Sequence, residues 1–178
     1  MFCEVALMIT YQPAFDPYHA AFRLLRLREL VSDCDPIERD RLRILDFYLT
    51  FPFLLEGVRF RPEDRAFRSV ARRYQHLVPF ADLPEQIVLF EYMELPHRSA
   101  VDTFVNRDWL RQDDRAARVA FNEEAVIPEE VAARAEVANQ EQLDLMGVLS
   151  AFCERYDFLG ADGLKARTGL MEFRYDPI

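Results

Sequence analysis

Apolar residues recur three and four positions apart along most of the chain, a spacing that places them on one face of an α-helix. The clearest helix start is at Asp35, which can act as a cap, with Pro36 in the first position and Glu38 three residues after the cap. The apolar face of this helix consists of Leu42, Ile44, Leu45, Phe47 and Leu49. Pro52 is expected to end or kink it.

Two further helices are predicted on either side of this one. The earlier one begins at Pro17, with Asp16 as its N-cap. Its predicted apolar stripe is Tyr18, Ala21, Phe22 and Leu25, and the arginines largely off that stripe are Arg23, Arg26 and Arg28. The later helix begins at Pro62, and its predicted inward positions are Ala66, Val70, Tyr74 and Leu77.

A pair of short helices is predicted at Glu85–Leu95 and His97–Asp108, separated by Pro96. Two short helices with a sharp joint are typical of a helix-turn-helix element. Their apolar positions are Ile87, Phe90, Met93, Val101, Phe104 and Val105. The strands of a small wing are predicted at Arg118–Phe121 and Ala125–Ile127, with residues 122–124 as the turn.

The remainder of the chain is predicted to be mostly helical. A long helix runs from Pro128 to about Phe158, Gly160 occupies the position of a C-terminal cap, and a short helix lies within Ala161–Gly169. The apolar stripe of the long helix is Leu143, Leu145 or Met146, Leu149, Phe152 and Tyr156. Short terminal segments, Cys3–Thr10 and Leu170–Tyr175, are candidate strands.

These elements predict a mainly α fold with winged-helix-like units and minor short β-strands. The length of 178 residues, the hydrophobic fraction of 51% and the presence of only 5 glycines fit one compact domain, residues 1–178, with a sizeable core. An alternative subdivision separates an N-terminal helical part (10–80), a winged-helix-like part (84–127) and C-terminal helices (128–178).

Charge limits the partners that the chain can bind. The net charge is −9 and the sequence pI is about 4.9, so the surface repels phosphate backbones on average. Lys165 is the only lysine among 22 basic residues. Three well separated cysteines, the lack of a basic leader and the lack of an apolar run of roughly 20 residues indicate a cytoplasmic protein without a membrane span.

Motifs for catalysis and cofactor binding are missing from the sequence. The three histidines are isolated, with no His-Glu-x-x-His, and His97 beside Pro96 is interpreted as a surface or cap residue. No Gly-rich phosphate loop or Gly-x-Ser-x-Gly elbow occurs. We therefore expect no enzymatic activity, no metal and no cofactor.

An arginine-rich segment has two interpretations. Arg65, Arg68 and Arg72 share one face of the helix that follows Pro62. They form either a solvated face with local ion pairs to Glu63 and Asp64, or a basic patch for DNA or an acidic partner.

The segment from Phe47 to Leu55 is too apolar for a solvated face. It lies either in the core or against a partner protein. The candidates for a partner interface are Phe47, Tyr48, Phe51, Phe53 and Leu54.

The segments TYQPAFDPYHAAFRLLRL (Thr10–Leu27) and LRILDFYLTFPFLL (Leu42–Leu55) resemble the middle component of bacterial ABC three-component systems, which belong with Lamassu-like antiviral operons. Residues 89–110, LFEYMELPHRSAVDTFVNRDWL, look like the family's helix-turn-helix region. The resemblance implies a small winged-helix-like accessory subunit that bridges an SMC/Rad50-like coiled-coil ATPase and an effector such as a nuclease. It implies no catalytic residue, and any DNA contact would come mainly through the complex.

A second hypothesis is a helix-turn-helix transcription regulator or an acidic antitoxin-like protein. Direct reading of DNA needs a basic recognition helix. The candidate helix His97–Asp108 has Arg98 and Arg107, offset by Asp102 and Asp108. Its charge therefore favours binding to protein.

Overall fold

The computed structural model describes residues 12–32, 36–79 and 83–172. In these ranges the chain forms α1 (Pro17–Ser32), α2 (Arg39–Thr50), α3 (Arg68–Arg73), α4 (Gln86–Tyr92), α5 (Glu94–Asn106), α6 (Glu129–Glu141), α7 (Leu143–Glu154) and α8 (Leu164–Thr168). The strands are β1 (Ile37–Glu38), β2 (Leu110–Asp113) and β3 (Arg118–Phe121), and 3₁₀ segments occupy Pro13–Phe15, Pro52–Gly57, Pro62–Phe67 and Gln75–Leu77. The prediction of a mainly helical fold with minor short strands is confirmed.

Helix α1 begins as its sequence predicts. The Asp16 carboxylate accepts hydrogen bonds from the backbone N–H groups of Tyr18 (2.8 Å) and His19 (3.0 Å), and so caps the helix. The predicted stripe is wrong at Tyr18, which is 85% exposed. Because α1 packs against α2, α5, α6 and α7, its buried sector is wide. The buried apolar residues of α1 are Ala20, Leu24, Leu25, Leu27 and Val31.

Helix α2 starts at Arg39, so the predicted start at Pro36 is wrong. Ile37 and Glu38 form β1, and the Glu38 side chain makes no capping bond. Its carboxylate instead accepts a hydrogen bond from Nε of Arg41 at 2.7 Å. All five predicted apolar positions of α2 are buried, and the helix ends at Thr50 before the 3₁₀ segment that Pro52 begins. Both of these predictions are confirmed.

The chain after Pro62 is a 3₁₀ segment followed by α3, which is shorter than the predicted helix. Val70 and Tyr74 are buried as predicted, whereas Ala66 and Leu77 are exposed. The joint between α4 and α5 lies at Met93, so the prediction of a break at Pro96 is wrong. A proline is tolerated there because Pro96 lies in the first turn of α5, where no N–H donor is needed.

The apolar positions predicted for the two short helices, now α4 and α5, are only partly buried as a set. Phe90, Met93, Val101 and Phe104 are buried, whereas Ile87 and Val105 are exposed.

The three strands form an antiparallel sheet in the order β1–β3–β2. Leu110 pairs with Phe121, and Ile37 pairs with Val119. The β3 strand is where the sequence predicted it, but Ala125–Ile127 is not a strand. The strand that pairs with β3 in the hairpin is β2, which precedes β3 in the chain.

The predicted long C-terminal helix is interrupted at Gln142, which separates α6 from α7. Leu143 is therefore exposed, whereas Leu145, Leu149, Phe152 and Tyr156 are buried. The short helix predicted within Ala161–Gly169 is confirmed as α8, and Gly169 caps it with a φ of 67°.

The predicted cap at Gly160 is wrong, because α7 already ends at Glu154. Residues 170–172 form no strand, and the rest of Leu170–Tyr175 and all of Cys3–Thr10 lie outside the described residues.

Aromatic side chains hold α2 in the centre of the core. Phe47 meets Phe90 of α4 edge to face, with ring centroids 5.6 Å apart, and Tyr48 meets Phe152 of α7 at 5.9 Å. Among the described residues, none of the helices combines the length and the apolar character that crossing a membrane requires.

Candidate functional site: a buried Arg–Asp–His cluster and two surfaces

A carboxylate lies within the buried face of α2. Asp46 is 1% exposed and binds side chains from two other helices. Nε of Arg23 in α1 donates to its Oδ1 at 2.5 Å, and Nδ1 of His97 in α5 lies 2.8 Å from its Oδ2. Burial alone would raise the pKa of Asp46, but the charge of Arg23 and the hydrogen bond from His97 outweigh burial and lower it. Asp46 is therefore ionised in the folded protein.

His97 is a member of this cluster and is 3% exposed, so its interpretation as a surface or cap residue is wrong. The sequence places His97 beside Pro96, but it does not show that the carboxylate of Asp46, 51 positions earlier in the chain, binds its ring. The other ring nitrogen, Nε2, is buried and has no hydrogen-bond partner among the described residues. A buried polar atom without a partner costs free energy.

A cavity of about 270 Å³ lies next to the cluster, between α2 and α5. His97 forms part of its wall, and charged side chains of both signs form most of the rest. These are Arg39, Asp40 and Arg43 from α2, and Glu94, Arg98 and Asp102 from α5. We call this space the charged cavity.

Arginines of the first two helices hold the fold together. Arg26, which lies off the predicted stripe, is buried, and its Nε donates to Oδ1 of Asn139 in α6 at 2.9 Å. Arg41 donates to the backbone oxygen of Phe152 (2.6 Å) in the last turn of α7 and to that of Tyr156 (2.7 Å), which follows the helix. Arginine suits this role because its planar group donates several hydrogen bonds at once.

The five candidates for a partner interface divide into two groups. Phe47, Tyr48 and Phe53 are buried, whereas Phe51 and Leu54 are half-buried against the core. Their role at a partner interface stays a prediction, and only a part of this set reaches the surface of the described chain.

Phe51 and Phe53 open onto an apolar groove. The groove consists of two adjoining cavities of about 350 and 290 Å³, which share Leu83 and Leu89 in their walls. The larger cavity also contains Leu77, and the smaller one contains Phe15 and Tyr92. Tyr92 is 60% exposed and packs edge to face on Phe15. Exposed aromatic and aliphatic groups around a groove are typical of a surface that binds protein.

Arg65, Arg68 and Arg72 are all exposed, and none of them forms an ion pair with another described residue. Asp64 does not neutralise them, because it is buried and accepts a hydrogen bond from Oη of Tyr156 at 2.9 Å. It also pairs with Arg155 at 2.9 Å. The basic patch is thus uncompensated locally, and its role in binding stays a prediction.

In the three described ranges, no group of three or more His, Cys, Asp or Glu side chains is placed to hold a metal ion. The described residues thus include the buried Arg–Asp–His cluster, the charged cavity, the apolar groove and the basic patch.

These features describe a mainly helical protein with a small antiparallel sheet and with surfaces suited to binding. Residues 9–176 match the family model described as ABC-three component (ABC-3C) system Middle Component 5. The chain belongs to this family, and it thus has an accessory role, with partners, in a multicomponent system. No curated protein and no solved structure matches it significantly.

Proposed function

We propose that this chain is a non-catalytic accessory subunit that bridges an SMC/Rad50-like ATPase and an effector, such as a nuclease, in a bacterial antiviral defence complex. The family match, which spans residues 9–176, is the observation that carries the proposal. It is the basis for an accessory role, and the resemblance of Thr10–Leu27 and Leu42–Leu55 supplies the identity of the partners.

A bridge needs two contact surfaces, and the structure supports this requirement. The apolar groove offers aromatic and aliphatic groups, whereas the basic patch offers uncompensated guanidinium groups. Apolar anchors give affinity, and complementary charge gives orientation and speed of association. We propose that each surface receives a different partner.

We also propose that α4, α5 and the β2–β3 hairpin form a winged-helix-like unit. The support is the order of elements, because two short helices precede a hairpin whose second strand pairs with β1. The exposed charges of α5 are Glu94, Arg98 and Asp102, which sum to one negative charge. Such a helix repels phosphate groups, and this charge favours a protein partner.

The test is co-expression of the tagged chain with the ATPase and the effector encoded beside it. We expect all three proteins to elute together, and we expect deletion of this chain to separate the other two. Phage plating on cells that carry the operon with and without this chain tests the antiviral part. Elution of the tagged chain alone, with the ATPase present in the lysate, overturns the proposal.

A gel shift with DNA from the chain's own promoter tests the alternative function, a transcription regulator. Binding at low salt that is lost steeply as salt rises would favour the regulator.

A further inference from the structure

The chain carries an occupant for the apolar groove in its own sequence. We propose that residues 1–11 (segment 1–11) dock in the groove and cover it while no partner protein is bound. The docking does not depend on the proposed assembly, because it rests on the walls of the groove and on the path of the chain into it. Competition between this segment and a partner for the groove does rest on the proposed function.

The walls of the groove select an apolar occupant. The described residues that line its two cavities are aromatic, aliphatic or proline residues, apart from Gln12 and Thr50, and none of them is charged. In the whole chain 30% of the residues are charged. Leu77 and Tyr92 in these walls are 46% and 60% exposed. Covering such a surface is favourable, and no charged group has to lose its water.

Segment 1–11 has the composition that these walls require. Its sequence is MFCEVALMITY, in which nine residues are apolar and one, Glu4, is charged. Apolar side chains leave water when a matching surface is within reach. The groove and segment 1–11 are therefore complementary in their chemistry.

The path of the chain brings segment 1–11 to the groove. The described residues begin at Gln12, and Gln12 lies in the walls of both cavities. Pro13 and Ala14 also line the larger cavity, and Phe15 lines the smaller one. Segment 1–11 is thus attached at the groove itself, without a linker. A short tether of this kind gives an effective concentration on the order of millimolar.

The volume of the groove limits how much of the segment it can hold. The two cavities measure about 350 and 290 Å³. Sites of about 300–1,000 Å³ enclose drug-sized molecules, so each cavity can take a few apolar side chains. We expect these to come from residues 5–9 (VALMI), which are apolar and lie close to Gln12 in the chain.

A second copy of the chain and a partner protein are the other candidate occupants. Two copies each carry a net charge of −9 and repel each other, whereas segment 1–11 carries one carboxylate. A partner protein has to displace the tethered segment first. Its apparent affinity is therefore reduced to the fraction of molecules in which the groove is open.

Photocrosslinking of the full chain tests the docking. With Leu7→benzoylphenylalanine, the new side chain reacts with neighbouring C–H bonds, and mass spectrometry identifies the linked peptides. Leu7 is five positions before Gln12, so an undocked segment could carry it to any surface within roughly 18 Å of Gln12. We expect intrachain crosslinks confined to the groove walls, around Phe53, Leu77 and Leu89. Crosslinks spread over other surfaces, or formed only between two copies, overturn the proposal.

Two leucine variants show whether the crosslinks depend on the groove. Leu77→Glu places a charge in the groove wall and should reduce crosslinking from position 7 by about tenfold or more. Leu143→Glu adds the same charge at a leucine of α7 that is 61% exposed and lies outside the groove walls, and it should leave crosslinking unchanged. Circular dichroism checks the fold of both variants. Equal crosslinking in the two variants would also overturn the docking.

A substitution in segment 1–11 separates the docking from the proposed function. If the segment covers the groove in about nine-tenths of the molecules, Leu7→Glu should raise the affinity for the partner about tenfold. This effect is opposite in direction to that of Tyr92→Glu in the groove wall. Unchanged or weaker partner binding by Leu7→Glu overturns the competition. Intrachain crosslinks in a chain that elutes without any partner would support the docking and overturn the proposed function.

Discussion

Nδ1 of His97 lies 2.8 Å from Oδ2 of Asp46, although 51 positions separate the two residues in the chain. The same carboxylate binds Nε of Arg23. One acidic side chain thus joins α1, α2 and α5 through contacts that water does not reach. Losing the carboxylate would leave the buried guanidinium group of Arg23 without its counter-ion, so the first effect is on the stability of the fold.

Replacement of Asp46 by asparagine keeps the size of the side chain and removes its charge. We expect Asp46→Asn to lower the free energy of unfolding by about 3–5 kcal/mol, because Arg23 stays buried and uncompensated. Urea denaturation followed by circular dichroism measures the loss. The matched control is Asp40→Asn in the same helix, where a half-exposed pair with Arg43 at 3.6 Å should contribute less than about 1 kcal/mol. Equal losses in both variants would contradict this account of the cluster.

Acid sensitivity should depend in part on Glu38. Burial alone would raise the pKa of Glu38, but the hydrogen bond and the charge of Arg41 outweigh burial and lower it. A carboxyl group with a lowered folded pKa stabilises the fold fully above its unfolded pKa, and this stabilisation is lost as the pH falls through the folded pKa. We expect the unfolding free energy of Glu38→Gln to fall less steeply than that of the wild type below about pH 4.

Urea titrations at several acidic pH values measure these slopes. Glu63→Gln is the control, because Glu63 is exposed and forms no ion pair with another described residue. A wild-type slope in Glu38→Gln would show that the pair with Arg41 does not contribute.

The hydroxyl group of Tyr48 is buried without a hydrogen-bond partner among the described residues, and burial raises its pKa well above the usual range. We expect Tyr48→Phe to raise the free energy of unfolding by about 1 kcal/mol, because an unsatisfied buried group is removed. Tyr156→Phe is the comparison, since its hydroxyl donates to Asp64 at 2.9 Å and accepts from the N–H of Arg61 at 3.2 Å.

The comparison variant should lose about 1–3 kcal/mol. Thermal and urea unfolding of both variants measure whether each substitution raises or lowers the free energy of unfolding. Destabilisation of Tyr48→Phe to the same extent would mean that its hydroxyl group has a partner in solution.

A charged substitution in the apolar groove should weaken binding to the partner without unfolding the chain. Tyr92 is 60% exposed at the groove, and Val137 is 58% exposed on α6. We expect Tyr92→Glu to reduce co-elution with the partner by at least about tenfold and Val137→Glu to leave it unchanged, because buried aromatic anchors dominate interface energy. Both variants should keep the wild-type circular dichroism spectrum. Equal co-elution of the two variants would place the interface elsewhere.

Local periodicity predicted the elements that are held mainly by apolar packing. In α2 all five predicted positions are buried, because a helix in the middle of the core needs a broad apolar face. The α4–α5 pair was also recognised, although its joint lies three residues before the predicted proline. The strand β2 was missed, because its sequence LRQD shows no apolar alternation and only Leu110 is buried.

The polar parts of the candidate site could not be predicted in the same way. Arg23 and His97 look like surface residues in a pattern that classifies side chains by type. Their burial depends on Asp46, which lies 23 and 51 positions away. The presence of Asp46 in the middle of an apolar stripe was the one local indication, since a lone carboxylate there needs a partner from elsewhere.

Arg26 gives the fold a particular order of assembly during synthesis. Its partner Asn139 lies 113 positions downstream, and a ribosome that adds ~5–20 residues per second takes roughly 6 to 23 s to cover that distance. During this time α1 has emerged, but the side chain that will enclose its guanidinium group does not yet exist. Until α6 leaves the ribosome, the nascent chain therefore carries the guanidinium group of Arg26 without its partner in α6, and a chain that stops before α6 never supplies that partner.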